Sequence, residues 1–264
     1  MTTALRIGRG ILSAAISMAI VLLAWWGFLK FFDVDSFIGK GPGDVWKWLV
    51  TSDKAGANRA VVRHESWITS RDAFLGLFFG TVAALVTSIV FNLYQSMQRT
   101  FMPVAMVLRS VPLVAMTPLI VLIFGRGLTA VTVISGIVTF FPTLVNVTLA
   151  LRATPKDAID LMRAYGASPV KTLMKVQVPS SLPALFSSLR VAAPLALVGA
   201  LLAEWLATGK GLGYSILQAA ALSDYNGLWS RVALVTIYSV VLYNVIGGVE
   251  TVVMRRFGSL VRAR

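Results

Sequence analysis

Few side chains in this sequence are of the kinds that make and break bonds. It has one histidine, His64, in a polar stretch, and no cysteine, so a thiolate nucleophile, a disulfide and a cysteine metal site are all excluded. An intramembrane serine protease needs a base buried beside its nucleophile, and the lone imidazole lies outside the apolar runs. Metal catalysis is equally unsupported. The nearest relative of a phosphate-binding loop, GKGPG at 39–43, has neither the strand context nor the lysine–serine pair. What the sequence does offer is charge set beside apolar surface. In residues 154–183, TPKDAIDLMRAYGASPVKTLMKVQVPSSLP, the ions Asp160, Arg163, Lys171 and Lys175 alternate with Leu, Met, Tyr and Val. Residues of these types steer and hold a protein partner.

Local rules predict the form of this stretch. Thr154 before Pro155 reads as an N-cap followed by proline at the first helical position, with Asp157 in the first turn at the positive end of the helix dipole. Ala158, Leu161, Met162 and Tyr165 fall at i, i+3, i+4 and i+7, an apolar stripe flanked by Lys156, Asp160 and Arg163. Gly166 suits a left-handed helix stop. Ser168 and Pro169 repeat the start signal, Val170, Leu173 and Met174 form a second stripe, and Pro179 and Pro183 end the stretch and open the next apolar run. The expectation is two short amphipathic helices joined at a glycine. Such a pair suits a membrane surface as well as a protein partner.

The elements that position it are membrane spans. Of 264 residues 57% are hydrophobic and 13% charged, and the mean hydropathy is +0.79, which describes an integral membrane protein. Runs at 11–32, 73–93, 104–124, 128–151, 182–208 and 232–254 are each long enough to cross roughly 30 Å of hydrocarbon as helices. The first follows Arg6 and Arg9, but its length marks a retained span rather than a signal peptide. With both termini on one side, the segments 1–10, 94–103, 152–181 and 255–264 carry twelve Lys or Arg, against nine in 33–72, 125–127 and 209–231. The bias places both termini and the 152–181 connection in the cytoplasm. The net charge of +13 is explained by this flanking role, without nucleic acid. In the outer connection 33–72, Pro42 and Asp44 suit a short helix that lays Val45, Trp46 and Leu49 on the membrane.

Inside the spans, Thr132, Ser135, Thr139, Thr143 and Asn146 recur at steps of three and four, a polar stripe along one helix. With Thr117 they are candidates for the solute route. The same hydroxyls also suit close helix packing or bonds to their own backbone. Pro112, Pro118, Pro142 and Pro194 are expected to bend the spans. Arg109 and Arg190 suit either snorkelling to the inner surface or an inner gate. Glu204 has Lys210 as a possible partner, and Glu250 is expected to pair with Arg255 and Arg256. Tryptophans 25, 26, 46, 48, 67, 205 and 229 mostly fall near the expected interfaces.

The spacing of 154–183 resembles the EAA loop of binding-protein-dependent ABC transporter permeases. Gly166, Val176, Val178 and Pro179 match in place, Asp160 stands for the glutamate, and Leu161–Met162 replace the two alanines. RSVPLVAMTPLIVLIFGRG at 109–127, VTFFPTLVN at 138–146 and LRVAAPLALVGALLAEWLATGKGLGY at 189–214 are similar to the nitrate, sulfonate and taurine branch, over about residues 66–221. The resemblance implies an all-α, six-span type I ABC importer permease (MetI-like) fold with a cytoplasmic coupling helix, in the inner membrane of a prokaryote. It implies a second permease subunit, a homodimer by family habit, and an extracytoplasmic solute-binding protein. A cytoplasmic ATPase dimer would bind the ATP and Mg, leaving this chain without cofactor or enzymatic activity. Ala164, Tyr165, Gly166, Ala167, Ser168, Pro169 and Val170 would enter a cleft on the ATPase, with Arg163, Lys171 and Lys175 facing its acids. Ala203–Glu204 before Gly211–Gly213 matches a family Ala-Glu and Gly-Leu-Gly turn, for which a structural or outer-gate role is expected. A small anion such as a sulfonate, taurine or nitrate is the implied solute, with a vitamin precursor or aromatic compound as the alternative. A channel or secondary transporter would not need the insert, and no inverted repeat is visible.

Overall fold

Apolar runs that receive no hydrogen bonds from lipid must satisfy their backbone internally, and among the described residues every regular element is helical. The computed structural model describes the backbone of residues 2–257 and the side chains of residues 16–255. The side chains of Arg6, Arg9, Arg256, Arg262 and Arg264, which entered the orientation count, lie outside the described residues. In chain order the elements are α1 (Thr2–Phe31), α2 (Pro42–Trp46), α3 (Ala55–Leu93), α4 (Gln95–Ser110), α5 (Leu113–Phe124), α6 (Leu128–Arg152) and α7 (Lys156–Ala164). They continue as α8 (Pro169–Thr208), α9 (Gly211–Ala221) and α10 (Tyr225–Phe257). Among the described residues α3, α6, α8 and α10 are long and apolar enough to span a membrane, the α4–α5 pair adds a bent fifth, and Ile16–Phe31 of α1 is a shorter apolar stretch.

In place of one straight span at 104–124, α4 and α5 meet at 104°. The cause is local. Val111 is held extended (φ −72°, ψ 126°) by the proline after it, and Pro112 has no N–H to continue the helix. Pro112 therefore stands before α5 rather than inside a helix, whereas Pro118, Pro142 and Pro194 lie within helices. The connection 33–72 is also more ordered than an open loop. Pro42 opens α2, Asp44 accepts a hydrogen bond from the Gly41 N–H at 2.9 Å, and α3 starts at Ala55.

Two compact units result, residues up to 63 with 216–233, and 64–215 with the chain from 234 onward. In the first, Trp25 stacks on Trp229 at 5.5 Å, and the Trp229 indole N–H donates to the Ile38 carbonyl at 2.8 Å. Arg231 lies 5.7 Å over Trp48, whose carbonyl accepts from Asn58 at 2.9 Å. In the second, α6 and α8 form the central pair and α3 packs alongside. Lipid is as apolar as leucine, so close packing has to hold these helices together. Glycines permit it: a methyl on Gly80 would run into Thr139 Oγ1 and the Gly136 backbone, and one on Gly199 would lie 2.7 Å from Ser135 Cα. Ile120, Val131, Ile134 and Ala203 fill one end of this unit, and Val147, Leu151 and Leu173 the end next to α7.

Candidate functional site

The 152–181 connection is built from the last turn of α6. Thr154 does not cap α7: its buried hydroxyl donates back to the Leu151 carbonyl at 3.0 Å, and Pro155 takes the N-cap position. α7 runs for nine residues with Asp157 in its first turn. At its end the Gly166 N–H donates to Arg163 O and the Ala167 N–H to Met162 O, both at 2.9 Å, while Gly166 adopts φ +72°. This is the Schellman closure that a glycine favours. Ser168 then caps the next helix by accepting from the Lys171 N–H at 3.3 Å, with Pro169 at the first position.

The second helix does not end at Pro179. It runs on through a π turn at Leu173–Gln177 into the long apolar part of α8. Widening the turn lets the helix pass a residue that cannot donate to the carbonyl four positions back. Pro169 and Val170 thus belong to one continuous helix with the long apolar part of α8. The root of α8 is also locked laterally. Leu173 is 1% exposed among Val147, Leu151 and Leu85, and Gln177 donates to the Leu151 carbonyl at 3.2 Å and accepts from Asn92 of α3 at 2.8 Å. Three helix ends therefore share one bracket. Sequence reasoning missed Asn92, and its only signal was a polar residue at the close of an apolar run.

Above this root the side chains divide. Ala158 and Met162 are half-buried, but Leu161, Tyr165, Val170 and Met174 are each more than half exposed. Exposed Arg163, Lys171 and Lys175 share that surface with Asp160, which pairs with Arg163 at 3.4 Å in the open. Ala164, Ser168 and Pro169 are exposed at the turn, Ala167 is half-buried beside them, and Val176 and Pro179 are half-buried at the root.

The residues singled out within the spans have other surroundings. Ser135 Oγ donates to Ala196 O at 2.8 Å, and Thr139 Oγ1 lies between the Gly136 carbonyl of its own helix at 2.9 Å and Gly76 O of α3 at 3.2 Å, both residues fully buried. Both sit where Gly76, Gly80 and Gly199 bring the helices close together. Thr117 and Thr132 bond the carbonyls of Leu113 and Leu128 within their own helices, and Asn146 is exposed. Arg109 is exposed at the end of α4, on a cavity of about 220 Å³ walled by Leu108, Met116, Val138, Phe141 and Leu195. Glu250 pairs with Arg190 at 2.6 Å and not with Arg255, since Arg190 reaches across over Tyr243 to the space left by Gly247. Two charges in an apolar segment neutralise each other. Glu204 is fully buried, one of its carboxyl oxygens has no hydrogen-bond partner, and it does not pair with Lys210. It accepts from the Gly213 N–H at 2.8 Å and is pressed against Gly211, while Leu212 N–H donates to Thr69 at 2.9 Å. The Gly-Leu-Gly turn is therefore wrapped around a carboxylate at the amino end of α9, where the helix dipole favours it.

Among the described residues, no group of three His, Cys, Asp or Glu side chains is placed to hold a metal. The family described as binding-protein-dependent transport system inner membrane component matches residues 76–259. A probable ABC transporter permease protein of Haemophilus influenzae is 26% identical over 88% of this chain and 93% of its own. The riboflavin transport system permease protein RibX of Chloroflexus aurantiacus is 33% identical over 60% of this chain and 59% of its own, and the nitrate import permease protein NrtB of Leptolyngbya laminosa is 25% identical over 74% and 76%. An inward-facing structure of the MetNI methionine ABC transporter superposes with a TM-score of 0.65 over 77% of this chain and 99% of its own, at 21% identity, and shares the fold. A family match across most of the helical core, joined to a near full-length relative, identifies this chain as a membrane permease of the binding-protein-dependent ABC transporter family.

Proposed function

We propose that this permease imports a small organic or inorganic anion, and that its 152–181 connection is the cytoplasmic contact for an ATPase pair. The observation that carries the coupling reading is the exposed apolar face of Leu161, Tyr165, Val170 and Met174, set among Arg163, Lys171 and Lys175 on a rigid turn. A partner with an apolar cleft rimmed by acids covers such a face. ATP-driven closure of the ATPases then moves α7, and the unbroken α8 and the Gln177 bracket pass that motion to α6 and α3. A second copy of this chain completes the pathway, and a solute-binding protein delivers from the opposite side. Both termini face the cytoplasm.

Relatedness to a nitrate permease and the basic Arg109 beside an apolar cavity support an anion as solute. A second reading, a vitamin-like heterocycle, is favoured by the 33% identity to the riboflavin permease. The test of coupling is co-purification with the ATPase. The wild-type chain is expected to retain it through detergent extraction. Leu161→Asp should insert and purify normally while retaining at least about tenfold less, as for loss of an interface anchor. Unchanged retention by Leu161→Asp would remove this face as the contact.

A further inference from the structure

We propose that the end of α6 and α8 opposite the 152–181 connection holds a reception site for a small oxyanion, a nitrate, sulfonate or carboxylate. The inference rests on the importer reading above for its place on the outer side. A cavity of about 480 Å³ opens there, within the usual range for small-molecule sites, and Arg71, Arg126, Lys210, Thr208, Trp205 and Tyr214 line it. Asp72 is the one carboxylate in the lining. It is 2% exposed and already taken, its Oδ1 accepting from Arg71 Nε at 2.9 Å and Nη2 at 2.7 Å. Among the described residues no carboxylate lies within ion-pair distance of Arg126 or Lys210. Three cations thus surround one cavity with one anion between them.

One further set of donors faces the same space. α6 begins at Leu128 behind Gly127 with no side-chain cap, so its first-turn N–H groups stand open at the positive end of the helix dipole, and Gly127, Leu128 and Val131 line the cavity. Bound oxygen atoms would satisfy these donors, and Trp205 and Tyr214 would wall the rest of a small molecule. Topology adds a reason to look here. Lys and Arg are disfavoured in short outer connections, yet Arg126 sits in the three-residue turn between α5 and α6, and Lys210 in the turn between α8 and α9.

The experiment is equilibrium binding of methanesulfonate and nitrate to the purified, delipidated permease by titration calorimetry. Saturable binding is expected. Arg126→Gln and Lys210→Gln should each weaken it about tenfold, the loss of one charge-assisted hydrogen bond. Lys54→Gln removes an exposed cation that does not line the cavity and should bind as wild type. No saturable binding, or an equal loss in Lys54→Gln, overturns the site. Repeating the titration in phosphatidylglycerol nanodiscs separates solute from lipid: abolished binding would give the cavity to a lipid headgroup and overturn the proposal. Transport of the same anion by the ATPase-loaded complex, without binding to the isolated permease, removes this site and leaves the importer reading intact. Binding that depends on Arg126 and Lys210, without transport, supports the site and removes the anion as cargo.

Discussion

Along α7 and the first turns of α8, Leu161, Tyr165, Val170 and Met174 stand exposed, whereas along α6 Ser135, Thr139, Thr143 and Thr148 are fully buried. The inversion follows from the surroundings. In a bilayer apolar surface gains little by leaving lipid, so helices join where small residues bring backbones close and hydroxyls bond across the gap. Ser135 to Ala196, Thr139 to Gly76, Ser88 to Leu144 and Thr148 to Ser88 are such bonds. On a charged connection the logic reverses: exposed leucine, tyrosine and methionine are the face that we propose another molecule covers. Buried Ser135, Thr139 and Thr148 join helices in one region, and exposed apolarity is the proposed contact in the other.

The severest way to break the comparison is to crowd the joinery. Gly80→Leu forces a side chain into Thr139 and the backbone of Gly136, and neither can withdraw without parting α3 from α6. Overpacking of this kind costs about 3 kcal/mol or more. The variant is expected to lose its monodisperse peak in detergent and its resistance to protease. A well-behaved Gly80→Leu protein would mean that the seam is loose, and that its hydroxyls are free for another role.

A milder test acts where the two regions meet. Gln177→Ala removes the bond to the Leu151 carbonyl and strands the Asn92 amide, a loss of about 1–3 kcal/mol. The chain should still insert, with a lowered melting temperature. Because the bracket ties the root of α8 to α6 and α3, solute moved per ATP hydrolysed should fall more than hydrolysis itself. Equal falls in both would show that the bracket stabilises without transmitting.

What could be read beforehand divides by range. The Gly166 stop and the Ser168–Pro169 start obey rules that span three or four residues, and the helix ends lie where those rules put them. Thr154 departs from its expected cap because a carbonyl three residues back was available to its hydroxyl. The Val111–Pro112 break also obeys a two-residue rule, but an averaged apolar run conceals it, and 104–124 looks like one span. Longer pairings have no local trace. Arg190 and Glu250 are far apart in the chain, and Asn92 and Gln177 are separated by 85 residues. The polar stripe of α6 was visible as a period, but a period does not say what lies opposite. Only the glycines of α3 and α8, brought against it, make it a seam.

The smallest effect sharpens the exposed side of the comparison. Asp160 and Arg163 are 66% and 73% exposed and 3.4 Å apart, so their attraction is largely screened by water and contributes at most about 0.5 kcal/mol. Asp160→Asn should therefore leave the melting temperature unchanged within error. It should also free Arg163, leaving the face more uniformly basic toward an acidic partner. Association with the ATPase is then expected to quicken slightly at low salt, and the gain should vanish as ionic strength rises and the Debye length shrinks. A large loss of association instead, persisting at high salt, would give the carboxylate a specific bond to the partner. In that event Asp160 is an anchor in its own right, and the apolar side chains around it serve mainly to keep water from that bond.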